Sequence, residues 1–206
     1  GNSDRRAPLS VKNYARKHPH RMGAWASDSK SHVSHMAAGD FYGSEKSATL
    51  TNAGALKITF HGKDGSAVVL KEKTAVKAGE IVDAAVMSRK ALAAFIGEQI
   101  ADAKAQGVLF SLHLKATMMK VSDPIMFGVA VNEFYKDVLA KHADVLKQAG
   151  FDANNGIGDL AARLPSLPEA TRAAIEADLA AEYAQRPGVA MVNSDKGITN
   201  LHVPSD

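Results

Sequence analysis

Residues 108–114 read Val108-Leu109-Phe110-Ser111-Leu112-His113-Leu114, an apolar run with the length of one buried strand. A helical pattern precedes this run; it begins after Ser88 as N-cap and ends at Gly107 in a left-handed conformation. A second helical pattern follows and continues to Gly150. Because a helix, a strand, a loop and a helix succeed one another, we predict an α/β fold with a mixed sheet and flanking helices.

The second helix has a start signal in Ser122-Asp123-Pro124. Asp123 is predicted to cap it, and Pro124 suits the first helical position, where no amide donor is needed. Apolar residues then recur at helical spacing and predict the side that packs on a core. They are Phe127, Val131, Phe134, Val138 and Val145.

The region before residue 88 has mostly strand character. Lys63-Asp64-Gly65-Ser66 predicts a hairpin turn, because Asp-Gly tolerates positive φ. Residues 1–47 are polar, with one predicted helix over Ser10–Lys17 and a loop over Gly23–Gly43. Alternation and β-branched residues predict three strands, namely Ala48–Leu50, Leu56–His61 and Ala67–Lys73.

Residues 151–188 are predicted to form a helical insertion, in which prolines mark the ends of the helices. It contains a short helix over Gly156–Leu164 and an alanine-rich helix over Pro168–Gln185. Two short strands are predicted after it, over Val189–Val192 and Ile198–Val203.

The composition limits the function classes. With 206 residues and 46% hydrophobic residues, the chain suffices for one large domain or two small ones. It has no cysteine, which excludes disulfides and cysteine-based zinc sites. No apolar run approaches membrane length, so we expect a cytoplasmic protein without a membrane partner. Since the chain opens on Gly1 without an initiator methionine, we expect it to belong to a longer polypeptide.

Two groups of basic residues are candidates for substrate chemistry. Arg5 and Arg6 offer planar guanidinium groups suited to carboxylates, although the pattern by itself favours a solvated basic turn. Lys115 follows the predicted strand, where ligands collect in open α/β sheets, and a partly desolvated lysine there can transfer protons. Lys120 can add fixed positive charge. The alternative is that both lysines pair with surface carboxylates.

Other chemistries find less support in the sequence. The pairs His18 with His20 and His32 with His35 lack a neighbouring carboxylate that would complete a metal-ligand pattern, so we interpret them as polar loop histidines. There is no Gly-x-Gly-x-x-Gly motif, no Gly-x-x-x-x-Gly-Lys-Ser/Thr motif and no Gly-x-Ser-x-Gly motif. Aromatic residues are only 6% and do not interleave with the basic cluster, which disfavours nucleic acid as a partner.

Several long segments resemble the monomeric isocitrate dehydrogenases. The N-terminal ones are Gly1-Asn2-Ser3-Asp4-Arg5-Arg6-Ala7-Pro8, Val11-Lys12-Asn13-Tyr14-Ala15-Arg16, His18-Pro19-His20, Ser31-His32-Val33 and Gly39-Asp40-Phe41-Tyr42. The later ones run from Leu112 to Pro124 and from Asp195 to Asp206. Together they extend the resemblance over essentially the whole chain.

The resemblance implies an enzyme that oxidises isocitrate with NADP and Mg²⁺ or Mn²⁺, releasing CO₂ and 2-oxoglutarate. Residues 1–206 would then be a fragment of its large, substrate-binding domain, with 151–188 as an insertion. Arg5 matches an arginine that binds an isocitrate carboxylate, and Lys115 matches the catalytic lysine, which also contacts substrate. The tyrosine general acid, the metal ligands and the NADP ligands would lie outside this chain, in the remainder of the polypeptide.

Two further expectations follow. The isolated chain should not turn over isocitrate, because its site is incomplete. An alternative from another class is a stand-alone binding or scaffold domain derived from the same fold.

Overall fold

A computed structural model describes residues 8–19, 26–114 and 118–189 of the chain. These residues fall into two compact units, one of residues 35–94 and one of residues up to 34 and from 95 onward. The described helices are α1 (Leu9–Lys17), α2 (Phe41–Ser44), α3 (Arg89–Gln106), α4 (Ser122–Phe134), α5 (Lys136–Lys141), α6 (Ala143–Gln148), α7 (Ile157–Arg163) and α8 (Glu169–Gln185). The described strands are β1 (Lys46–Thr49), β2 (Gly54–His61), β3 (Ala67–Val76) and β4 (Ile81–Ala84).

The unit of residues 35–94 contains two antiparallel strand pairs. β2 and β3 form the predicted hairpin, in register from His61 opposite Ala67 to Gly54 opposite Val76. Gly65 takes a φ of +83° at its turn, as the Asp-Gly dipeptide predicted. β1 pairs with β4, a strand that the sequence did not predict. The mixed α/β character is therefore confirmed, and the described sheets are small and antiparallel.

Helix α3 confirms both of its predicted ends. The hydroxyl of Ser88 accepts a hydrogen bond from the amide of Ala91 at 3.2 Å, which satisfies a free donor of the first turn. Gly107 ends the helix with a φ of +69°, a conformation that costs glycine little. Leu92 and Ile96 are among the buried residues of its apolar side, as the spacing predicted.

The helix predicted from Asp123 to Gly150 is instead three helices, α4, α5 and α6, with breaks at Tyr135 and His142. Periodicity alone missed these breaks because the apolar pattern continues across them. The predicted N-cap was also wrong. Val121 precedes α4, and Asp123 lies inside its first turn, where its side chain is buried. Pro124 still falls in the first turn, so its missing amide costs no helical hydrogen bond.

Residues 108–114 do not form the predicted buried strand. Phe110 makes one parallel bridge to Val189, and its amide donates to the carbonyl of Gly188 at 2.9 Å. Phe110 and Leu112 are half-buried while Leu109 and His113 are exposed, so only one side of the segment packs on the described part of the chain. Of the two C-terminal strands that we predicted, residues 190–192 of the first and all of the second, 198–203, lie outside the described residues.

The helices after residue 136 share one apolar core. Its buried members come from α5, α6, α7, α8 and the turn after α7, and they are Val138, Leu146, Leu160, Leu164 and Ile175. The two helices predicted within residues 151–188 are confirmed as α7 and α8. No helix in the described part of the chain is long and apolar enough to cross a membrane.

Candidate functional site

The two predicted site residues, Arg5 and Lys115, lie outside the described residues. Leu114 and Met118, which stand on either side of residues 115–117, are described. The structural description therefore concerns the residues that precede and follow residues 115–117.

A cavity of about 220 Å³ lies where residues 108–114 approach the start of α4. Four of its lining side chains are apolar and two are polar, one carboxylate and one amide. They are Leu112, Leu114, Pro124 and Phe127, with Asp123 and Asn154. Leu114 is the residue that precedes Lys115 in the sequence.

Asp123 is the buried charged group of this cavity, with only 3% of its surface exposed. Its amide donates to the carbonyl of Met119 at 3.1 Å, and its carboxylate accepts from the hydroxyl of Ser122 at 3.3 Å. An acidic residue in the first turn also interacts favourably with the helix dipole. The chain therefore turns back on itself between Met119 and Asp123 before α4 begins.

Asn154 lines the cavity because the residue of α4 that faces it, Gly128, has no side chain. A Cβ at Gly128 would collide with the side-chain oxygen of Asn154 and would lie 3.1 Å from its Cα. Only glycine lets the turn at residues 153–155 approach the helix this closely. A glycine inside an otherwise apolar helix is the sequence signal that could have revealed this contact.

The other end of the 108–114 segment is attached to the C-terminus of α8. The amine of Lys104 donates to the carbonyls of Ala184 at 3.1 Å and Arg186 at 3.2 Å, which satisfies carbonyls left free at the helix end. Two residues later Gly188 accepts the hydrogen bond from Phe110. The segment that leads to Lys115 is thus connected to both α3 and α8.

A pair of tyrosines, of which Tyr135 is buried and Tyr183 is exposed, lies beside Phe134 in the same unit. The hydroxyls of Tyr135 and Tyr183 are 2.8 Å apart, and their rings meet edge to face. Burial, together with the hydrogen bond that it shares with Tyr183, raises the pKa of Tyr135 above its ordinary value. A phenol held in this way is a poor proton donor near neutral pH, so Tyr135 does not suit a general acid.

The remaining candidates have simpler surroundings. His18 packs against Tyr14 with ring centroids 4.4 Å apart, and His32 lies 3.6 Å from Asp102. These contacts fit polar loop histidines. The described residues contain no group of three or more histidine, aspartate or glutamate side chains that could hold a metal ion. Lys120 is exposed, and Met118 and Met119 are each nearly half exposed.

Comparison with known proteins identifies the chain. The family model described as monomeric isocitrate dehydrogenase matches residues 1–206. The chain belongs to the monomeric isocitrate dehydrogenase family. This confirms the resemblance inferred from the segments around Arg5 and Lys115.

Individual proteins named isocitrate dehydrogenase [NADP] match over the whole chain. An isocitrate dehydrogenase [NADP] from Azotobacter vinelandii is 72% identical over 206 residues. Isocitrate dehydrogenase [NADP] 2 of Colwellia maris is 62% identical, and the protein of the same name from Mycobacterium tuberculosis is 51% identical. In each case the chain spans 28% of the length of the relative. The names of these relatives favour the enzyme interpretation over a stand-alone scaffold domain.

Proposed function

We propose that residues 1–206 form part of the isocitrate-binding region of an NADP-dependent isocitrate dehydrogenase of the monomeric type. The observation that carries the proposal is the 72% identity to the Azotobacter vinelandii enzyme along the whole length of the chain. Within this proposal the chain belongs to the large, substrate-binding domain, and residues 151–188 are a helical insertion in it.

Arg5 is assigned to substrate binding. Isocitrate carries three carboxylates, and a guanidinium group offers paired donors that match one carboxylate. The mild positive charge of the chain, +3, is the sign expected of a piece that contributes cations to such a site.

Lys115 is assigned to proton transfer and to substrate contact. Oxidation at C2 requires loss of the hydroxyl proton, which an uncharged lysine amine accepts directly or through water. After decarboxylation, an acid must protonate C3, and we place that acid outside this chain. When bound, NADP would supply the hydride acceptor, and Mg²⁺ or Mn²⁺ would supply stabilisation of negative charge on oxygen.

The ligands of the metal and of NADP are proposed to lie in the remainder of the polypeptide. The same proposal includes a cytoplasmic location, a monomeric enzyme, and a role in the tricarboxylic acid cycle and the glyoxylate bypass.

Absorbance of NADPH tests the proposal. The full-length enzyme that contains residues 1–206 should reduce NADP when isocitrate and Mg²⁺ are present, and the isolated 206-residue chain should not. In the full-length enzyme, Lys115→Met should lower kcat by about 10²- to 10⁴-fold. Arg5→Gln should mainly raise KM for isocitrate.

Lys120→Met is the matched control, because Lys120 is exposed and the substitution removes the same charge five residues away. We expect it to change kcat less than Lys115→Met does. Wild-type turnover by Lys115→Met, or robust turnover by the isolated chain, would contradict the proposal.

A further inference from the structure

The β2–β3 hairpin has one side on which large apolar residues are open to solvent. Leu56, Ile58 and Phe60 alternate along β2 and therefore share one face, and Val68 of β3 lies opposite Phe60 on the same face. Ile58, Phe60 and Val68 are 53%, 55% and 51% exposed within the described part of the chain. We call these four residues the apolar face of the hairpin.

The opposite face of the hairpin has a different character. Lys57 points to that side and forms an ion pair with Glu72, with 3.2 Å between the amine and a carboxylate oxygen. Thr59 also points there, opposite Val69. Polar and charged groups suit contact with water, whereas exposed apolar residues that lie side by side mark a surface for protein contact. The two faces therefore predict a hairpin that is covered on one side and solvated on the other.

The hairpin also needs more contacts than the described residues give it. Two strands alone are at best marginally stable in water, and further strands or a packed surface are needed for stability. In the described part of the chain, β2 and β3 pair only with each other. A surface that covers the apolar face would supply the missing contacts.

We propose that the apolar face is an internal interface of the full-length enzyme, covered by an apolar surface of the polypeptide outside residues 1–206. The chain spans 28% of the length of the relatives, so most of such an enzyme is available to cover the face. The family is described as monomeric, which disfavours a second copy of the chain as the occupant. The inference rests on the proposed function, because it takes the chain as part of that longer enzyme.

The chemistry of the covering surface follows from the residues of the face. Contact with Ile58, Phe60 and Val68 removes their apolar area from water, so the centre of the covering surface should be apolar. Lys71 lies opposite Ile58 and brings a positive charge to this side of the hairpin. The covering surface should therefore offer an acidic group near Lys71.

Cysteine labelling of the full-length enzyme tests whether the face is covered. Val68→Cys and Val69→Cys are matched variants, because the two valines are neighbours on opposite faces and are 51% and 44% exposed in the described part of the chain. Residues 1–206 contain no cysteine, so mass spectrometry of the labelled peptide reports on each new site. In native buffer, N-ethylmaleimide should modify Val68→Cys at least about 10-fold more slowly than Val69→Cys, whereas the two should react alike in urea.

Circular dichroism and thermal melting show whether each variant is folded at the labelling temperature. Equal labelling rates of the two folded variants in native buffer would overturn the inference. Slow labelling of Val68→Cys that becomes fast on dilution, together with a dimer mass by light scattering, would assign the face to a second copy and would also overturn it.

A photoreactive side chain at position 60 identifies the occupant. Replacing Phe60 with p-benzoyl-L-phenylalanine keeps an aromatic ring on the face, so this variant also decides the question if Val68→Cys does not fold. Irradiation of the purified full-length enzyme should join position 60 to a peptide of the same molecule outside residues 1–206. A crosslinked dimer, a crosslink only within residues 1–206, or no crosslink would overturn the inference.

Absorbance of NADPH, measured on the wild-type full-length enzyme, separates the two proposals. If that enzyme does not reduce NADP with isocitrate, the proposed function fails, whatever the labelling shows. Normal turnover together with equal labelling of Val68→Cys and Val69→Cys would refute the interface alone.

Discussion

Glu182 of α8 accepts a hydrogen bond from the backbone amide of Val138 at 3.0 Å, so a side chain of one helix caps the first turn of another. The same carboxylate accepts from the guanidinium group of Arg186, which also lies 3.3 Å from Asp137. Glu182 thus supplies the acceptor that α5 needs where the long predicted helix breaks at Tyr135. This contact joins α8 to the helices that follow α4.

Replacing Glu182 by alanine should therefore lower the free energy of unfolding of the chain by about 3 kcal/mol. The loss leaves the buried amide of Val138 without its acceptor and removes one of the two carboxylates that the largely buried Arg186 contacts. Urea denaturation followed by circular dichroism measures it. Glu176→Ala is the control on the same helix, where the side chain is 56% exposed, and it should stay within about 0.5 kcal/mol of wild type. Equal effects of the two substitutions would refute the capping role.

Gly128→Ala tests the close approach of α4 to the turn at Asn154. The added Cβ would meet both the side chain and the Cα of Asn154, so the turn must shift, and we expect a loss of about 1–3 kcal/mol in the free energy of unfolding. Gly158→Ala is the matched control, because a Cβ at this position of α7 meets no atom within 4 Å. That variant should be more stable by about 0.5–1 kcal/mol through helix propensity. Stabilisation by Gly128→Ala would contradict the described packing.

Asp159 gives the chain a predictable pH dependence. It accepts hydrogen bonds from the side chain of Arg163 at 2.9 and 3.0 Å and from the amide of Asp152 at 2.9 Å. These bonds, Arg163 first, hold the pKa of Asp159 below its ordinary value. A carboxyl group with a lower pKa in the folded state binds fewer protons when folded, so its stabilising effect is complete above the unfolded-state pKa of about 3.9. The effect is lost as the pH falls from there towards the folded-state pKa.

Urea denaturation at a series of pH values measures this effect. Wild type should be more stable than Asp159→Asn at pH 7, and the difference should shrink as the pH falls below about 4. Arg163→Met should weaken the same pH dependence, because it removes the main group that lowers the pKa of Asp159. A difference between wild type and Asp159→Asn that stays constant down to about pH 3 would refute the assignment.

Ile175 tests the core of the helical region. Its side chain is 0% exposed and packs with Leu160 and Leu164, so Ile175→Ala should cost about 2–5 kcal/mol of unfolding free energy through lost contacts and a new cavity. Leu9→Ala, at a residue that is 68% exposed on α1, should change stability by less than about 0.5 kcal/mol. A loss below about 1 kcal/mol for Ile175→Ala would show that this core is not formed.

The sequence by itself determined the features that depend on neighbouring residues. Asp64-Gly65 required the hairpin turn because of its tolerance for positive φ, and Ser88 with Gly107 set both ends of α3. The long segments around Arg5 and Lys115 were also sufficient to recognise the family, which the match over residues 1–206 confirmed. The roles of those two residues stay predictions, because they lie outside the described residues.

Tertiary structure alone decided the features that depend on residues far apart in the chain. After the break at Tyr135, the amide of Val138 donates to the carboxylate of Glu182, which lies 44 residues later in the chain. The apolar periodicity of the sequence does not indicate this contact. Asp123 looked like a helix cap from its neighbours, yet it is buried at a cavity that Leu112, Leu114 and Asn154 also line. Local conformation follows from steric and hydrogen-bonding rules over a few residues, whereas burial and charge pairing follow from which distant surfaces meet.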